Sequence, residues 1–176
     1  MKKLLVVLSL SFFTIGYSQE KPKADFPKNE IKGNALFLVA GAFEATYERI
    51  INEETSFGAS VFLAITEDFD TKFALTPYYR FYFGQKPAAG FFVEGFGTLN
   101  SYEDSFYTGE NSSYNYYKEV SRTDFALGFG LGSKWITKSG FLFEINAGVG
   151  RNLFNSSDTD HEIVGRGGIT LGYRFN

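Results

Sequence analysis

The chain's one histidine, His161, sits beside Ser156, Ser157, Asp158 and Asp160. A serine activated by a histidine that an aspartate orients could attack an ester, and at a membrane the ester would be a lipid's. That chemistry needs the three groups within mutual hydrogen-bond reach, and nothing in this spacing demands it. A solvated loop histidine is the reading adopted, so no catalytic residue is assigned. Asp158, Asp160 and Glu162 offer oxygen ligands to a divalent cation, but their spacing matches no calcium-binding loop. The sequence has no P-loop, HExxH or nucleotide fingerprint. With no cysteine there is no lipobox, disulfide framework or thiolate metal site. The expectation is a protein that is not an enzyme, with no cofactor and no metal.

A second set of charged residues has a more regular spacing. Glu44, Glu48, Arg80, Glu94, Lys134, Glu144, Arg166 and Arg174 all occupy even-numbered positions in runs that read as strands. A period of two places them on one face. Lys72, Arg122 and Asp124 share that parity, as do many of the glycines. Odd positions are apolar: Phe57, Ala59, Val61, Leu63 and Ile65 in one run, Phe141, Phe143, Ile145, Ala147 and Val149 in another.

The elements that carry this pattern are strands throughout. Phe (21), Tyr (11) and Gly (19) dominate the composition, a mixture that favours strands and tight contacts over helices. The expected strands run 31–39, 43–50, 56–66, 72–84, 90–102, 120–136, 140–153 and 163–175. Pro77 inside the fourth predicts a bulge there. Connections alternate in length: 52–55, 85–89 and 137–139 are short, whereas 66–71, 103–119 and 152–162 are longer and polar. Short turns at one end and long loops at the other are the pattern of an outer-membrane barrel. The segment 31–50 is divided at Gly41, because the count must be even for both termini to lie on one side; a single long strand there would make seven.

Two folds share this periodicity. A soluble, lipocalin-like barrel points its apolar face inward, and a membrane barrel points it outward. The odd face carries about thirty apolar side chains, many of them Phe, whereas an eight-stranded interior is just wide enough to be filled by side chains. That load fits outside, against lipid. Glycine on the inner face leaves room for Tyr78, Arg80, Tyr82 and Phe96. Tyr47, Phe81, Phe83, Phe91, Trp135, Phe141, Tyr173 and Phe175 fall near the short turns, as an aromatic girdle would. The fold expected is therefore all-β: an eight-stranded antiparallel transmembrane β-barrel.

The N-terminus supports export. Lys2 and Lys3 precede an apolar run over 4–15, and Gly16 and Ser18 suit signal-peptidase cleavage after residue 18. The expected organisation is a signal peptide over 1–18, a flexible polar leader over 19–30 and the barrel over 31–176. Losing Lys2 and Lys3 takes the formal charge from −3 to −5, which argues against a nucleic-acid partner.

The signal peptide, the run ATYERI at 45–50 before a short turn, the Gly/aromatic strands and the closing LGYRF at 171–175 resemble small outer-membrane barrels of Bacteroidota. These form a family of unknown function, similar to OmpX and to the membrane domain of OmpA. The resemblance spans nearly the whole mature chain. It implies the outer membrane of a Gram-negative bacterium, with outer-membrane lipids and the barrel-assembly machinery as partners. It carries over no catalytic residue.

Function then rests with the lumen and the loops. Charges of both signs in a narrow interior predict a paired plug, with an ion path as the alternative. Phe62, Phe92, Phe96, Leu36, Leu38 and Leu142 also point inward in this register, and could line a pocket for a lipid or small hydrophobic ligand, as in PagP-like or OmpW-like barrels. In the loop 103–119, Phe106, Tyr107, Tyr114, Tyr116 and Tyr117 lie among Ser, Asn and Gly, a composition suited to contacting a glycan or protein; a loop folded over the mouth is the alternative. A structural or surface-interaction role is expected first, ligand binding second, and lipid-directed hydrolysis a distant third.

Overall fold

Strict alternation closes the chain on itself. The computed structural model describes residues 26–108, 116–154 and 162–176, with backbone alone at 104–108 and 116–119. Eight strands form a closed antiparallel barrel in sequence order: β1 Asn29–Asn34, β2 Ala42–Ile50, β3 Thr55–Ala64, β4 Thr71–Tyr82, β5 Gly90–Thr108, β6 Tyr116–Ile136, β7 Phe141–Asn152 and β8 Ile163–Phe175. The seam is β1 on β8, from Asn29↔Phe175 to Asn34↔Thr170. The eight-strand reading of 31–50 is the one that holds, and seven is excluded.

Pairings set odd residues opposite odd and even opposite even, so one parity faces inward around the whole circumference. The register shifts once among the described pairs, where Lys72 is the extra residue between Thr71 and Phe73. This corrects the bulge expected at Pro77. The pairs Leu75↔Leu99 and Tyr78↔Phe96 keep one register across Pro77, which pairs with Ala59 on its other side. The ring faces outward, and the β5 pairing lapses at Thr76 and Pro77 without a change of register.

Even residues fill the interior. Arg80, Tyr78, Phe92 and Lys134 are among its largest fully buried side chains. Large inward groups sit opposite glycine: Phe92↔Gly132, Glu94↔Gly130 and Phe96↔Gly128. A Cβ at Gly128 would strike the Phe96 ring, and one at Gly58 the Tyr78 phenol. Odd residues form an apolar exterior that includes Phe129 (70% exposed), Leu131, Ile145 and Leu171. A soluble lipocalin-like barrel has the opposite distribution. All eight aromatics expected near the short turns, Tyr47 to Phe175, are outward and exposed.

Three expectations about the ends change. The first strand stops at Asn34, and Ala35–Ala40 is a short helix, α1. Asn34 caps its start by accepting from the Phe37 N–H at 3.4 Å, and Gly41 (φ 93°) ends it in the left-handed conformation. The run LFLV is apolar in either periodicity, so only the caps distinguish helix from strand. As a result Leu36 and Leu38, expected in the lumen, are 50% and 62% exposed. The barrel also starts earlier than expected: Asn29 and Glu30, assigned to the leader, belong to β1. Finally, β5 and β6 extend into the presumed loop 103–119 and stay paired to Thr108↔Tyr116. Pairing with β4 stops at Tyr102 and with β7 at Ala126, so this two-stranded ribbon projects beyond the rest of the wall.

Candidate functional site: the lumen and its two ends

At the short-turn end a turn packs against the lumen. The β4–β5 turn folds across the opening, and Ala88 and Ala89 are buried. The Ala88 N–H reaches the Glu53 carbonyl at 2.7 Å. Arg174 clamps the turn from β8, donating to the carbonyls of Pro87 and Ala88 at 2.8 Å each. Ile50, Tyr82, Ala88 and Phe92 pack above it, with Phe26 against them.

Over this floor lies the charge network. Glu48 is its hub and accepts from five donors: Lys32 at 2.5 Å, Lys134 and Tyr82 at 2.7 Å, Tyr78 at 2.8 Å and Arg80 at 3.1 Å. Glu144 takes Arg80 at 2.8 Å and Lys32 at 3.1 Å. Glu30 joins Lys134 at 2.7 Å to the Arg174 clamp at 2.7 Å. Glu94 holds Arg80 at 2.7 Å and Arg166 at 2.8 Å. Arg80 lies between the rings of Tyr78 and Phe92, 4.4 and 4.1 Å from their centroids. Five carboxylates (Glu30, Glu44, Glu48, Glu94, Glu144) thus face five cations (Lys32, Arg80, Lys134, Arg166, Arg174). A buried charge is tolerated only when paired and hydrogen-bonded, and here neutrality is reached within the network. The space left between Lys32, Arg80, Glu144 and Arg166 is about 10 Å³, room for one water. This arrangement can brace the strands against one another.

All eight lumen charges expected from sequence are in this interior. Glu30 and Lys32 were missed, although both have the right parity: Glu30 fell in the polar leader, and Lys32 in a run read for its apolar residues. The hydroxyls of Tyr78 and Tyr82 were read as bulk and prove to be donors to Glu48.

The long-loop end is built differently. Glu44 is held by Asn34 at 2.7 Å and lies 3.8 Å from Arg166. Above them a cavity of about 260 Å³ opens toward the loops. Its aromatic wall is Phe37 of α1, Phe62 of β3 and Phe69 of the β3–β4 connection, packed edge to face at 5.2–6.2 Å. Thr76 and Thr98, 3.1 Å apart, also line it. Of the expected pocket residues, Phe62 lines this space, whereas Phe92 belongs to the floor and Phe96 is buried against the glycines of β6 and β7.

The loop aromatics are redistributed. Phe106 and Tyr107 lie on β5, and Tyr116 and Tyr117 on β6, in strands rather than in a loop, with Tyr107↔Tyr117 a cross-strand pair. Tyr114 lies outside the described residues, as do Ser156, Ser157, Asp158, Asp160 and His161. Glu162 is paired with Arg151.

No protein-family model and no curated protein sequence matches the chain. Among solved structures it is similar to the N-terminal β-barrel domain of Pseudomonas aeruginosa OprF. The TM-score is 0.59 at 14% identity, over 85% of this chain and 98% of that one. At that identity the likeness is one of fold, and it agrees with the closed eight-stranded barrel.

Proposed function

We propose that this protein is an outer-membrane β-barrel of a Gram-negative bacterium, exported by its N-terminal signal peptide. The barrel is a sealed anchor, and the long-loop end makes the functional contacts. The observation that carries this reading is the inversion of the two faces: paired charges within, apolar side chains without. An exposed exterior of Phe, Leu, Ile and Val is stable only against hydrocarbon. On this reading the short turns face the periplasm, and the outward Phe83, Phe91, Trp135 and Tyr173 form the girdle at the inner headgroup level.

The closing ITLGYRF of β8 is the segment offered to the assembly machinery, and outer-membrane lipids surround the wall. The β5–β6 ribbon, with its Tyr, Phe and Ser, is the surface offered to a glycan or protein outside the cell. Catalysis is not part of the proposal, nor are a cofactor or a nucleic acid. The signal peptide, ATYERI and LGYRF are the features that favour a small barrel of the Bacteroidota type.

The test is gel migration of outer-membrane fractions, loaded unboiled and boiled in SDS. A heat-dependent shift is expected. A protein that is soluble in the periplasm and shows no shift would overturn the membrane reading. A second reading, ligand binding, is favoured by one observation, the unfilled cavity under α1.

A further inference from the structure

The cavity at the long-loop end has a size, a lining and a surrounding charge that together select a ligand. We infer that it binds a small organic cation: an ammonium joined to an apolar body of about one ring. This deepens the ligand-binding reading and rests on it, and it is independent of which membrane holds the barrel.

Size comes first. A void of about 150 Å³ suffices for benzene, so about 260 Å³ takes a ring with a short polar arm. The lining fits that body. Phe37, Phe62 and Phe69 supply an apolar wall, and the hydroxyls of Thr76 and Thr98 already satisfy each other. The aromatic wall comes from three separate elements, α1, β3 and the β3–β4 connection, packed as one cluster.

Charge fixes the sign. Arg166 is the cation lining the cavity, and it is already engaged: its Nε on Glu94 at 2.8 Å, its Nη1 on the Ser60 hydroxyl at 2.8 Å, its plane 4.8 Å from the Tyr78 ring. Glu44 is the cavity's carboxylate. It receives one hydrogen bond from Asn34, and its nearest guanidinium nitrogen is 3.8 Å away. It therefore keeps acceptor capacity for an incoming N–H. In the β3–β4 connection, Glu67, Asp68 and Asp70 are exposed, two of them flanking Phe69 of the cavity wall. The nearby Lys72 is taken by Glu103 at 3.1 Å. Beside Glu44 an ammonium is favoured over a carboxylate.

The test uses the full-length mature barrel in maltoside micelles at pH 7 and isothermal titration with three probes of one shape: 2-phenylethylammonium, 2-phenylethanol and phenylacetate. The ammonium should bind most tightly and phenylacetate least. Glu44→Gln should weaken the ammonium about tenfold, the loss of a charge-assisted hydrogen bond, and leave the alcohol unchanged. Phe69→Leu should weaken ammonium and alcohol alike. The heat-dependent gel shift verifies that each variant is folded, and Phe62→Leu replaces Phe69→Leu if that variant is not. Equal or tighter binding of phenylacetate, unchanged ammonium affinity in Glu44→Gln, or no binding of any probe by the folded barrel would each overturn the inference. Fractionation of the native protein decides the membrane reading separately.

Discussion

The two halves of one lumen solve opposite problems. At the short-turn half, every large inward group is matched: Glu48 with five donors, Arg174 with Glu30 and two turn carbonyls, Phe92 and Phe96 with glycines across the strand pair. At the long-loop half, Glu44 and Arg166 stand 3.8 Å apart beneath an open cavity. The walls are the same eight strands, so the contrast is one of filling rather than of fold. A narrow barrel can hold a ligand only where its side chains leave off, and here they leave off at one end. The filled half can brace the wall, and the open half leaves the space in which binding is proposed.

Emptying the hub should break this contrast most severely. Glu48→Leu leaves Lys32, Lys134 and Arg80 short of a carboxylate. A loss of about 3–5 kcal/mol is expected from the uncompensated buried charge, read as a lower urea midpoint for unfolding in detergent. Gly128→Val is next. Its side chain would occupy the space of the Phe96 ring, and overpacking of this kind costs about 1–3 kcal/mol; the unboiled band should weaken at a lower temperature.

Arg174→Met should cost less but act locally. It frees the carbonyls of Pro87 and Ala88 and leaves Glu30 to Lys134. Faster amide exchange is expected at Ala88, whose N–H is held on Glu53, with little change at the long-loop half. Phe37→Ala should lower stability only slightly, because it enlarges a space that is already open. At the small end, Arg151→Ala breaks a pair whose side chains are 67% and 46% exposed. No more than about 0.5 kcal/mol is expected, within the scatter of the same urea titration.

Much of the barrel could be read along the chain. Alternation over Phe125–Leu131 or Phe141–Val149 specifies two faces, because neighbouring side chains in a strand must point opposite ways. Even counting gave eight strands, whereas turn length does not separate the ends: the β4–β5 connection at 83–89 is longer than the β3–β4 connection at 65–70. The eight charges assigned to the inner face did face inward. The limits of that reading are as instructive. LFLV at 36–39 carries no periodicity that separates strand from helix, and the decision came from the Asn34 and Gly41 caps. Pro77 lacks a donor, yet the ladder absorbed the loss, because its Ala59 side stayed paired. The aromatic segment at 103–119 read as a loop from its polar composition, whereas cross-strand pairing carried it on as a ribbon.

Sequence by itself determined which residues face in and which face out, since parity is a local property of an extended chain. Tertiary structure alone decided which of them meet. Glu30 and Arg174 are separated by 144 positions and Lys134 and Glu30 by 104. They touch because β1 closes on β8 and because the barrel is narrow enough for side chains from opposite walls to reach its axis. No spacing along the chain encodes that distance. The same closure left the cavity at one end, where α1 follows β1 and its Phe37 joins Phe62 and Phe69 at the wall.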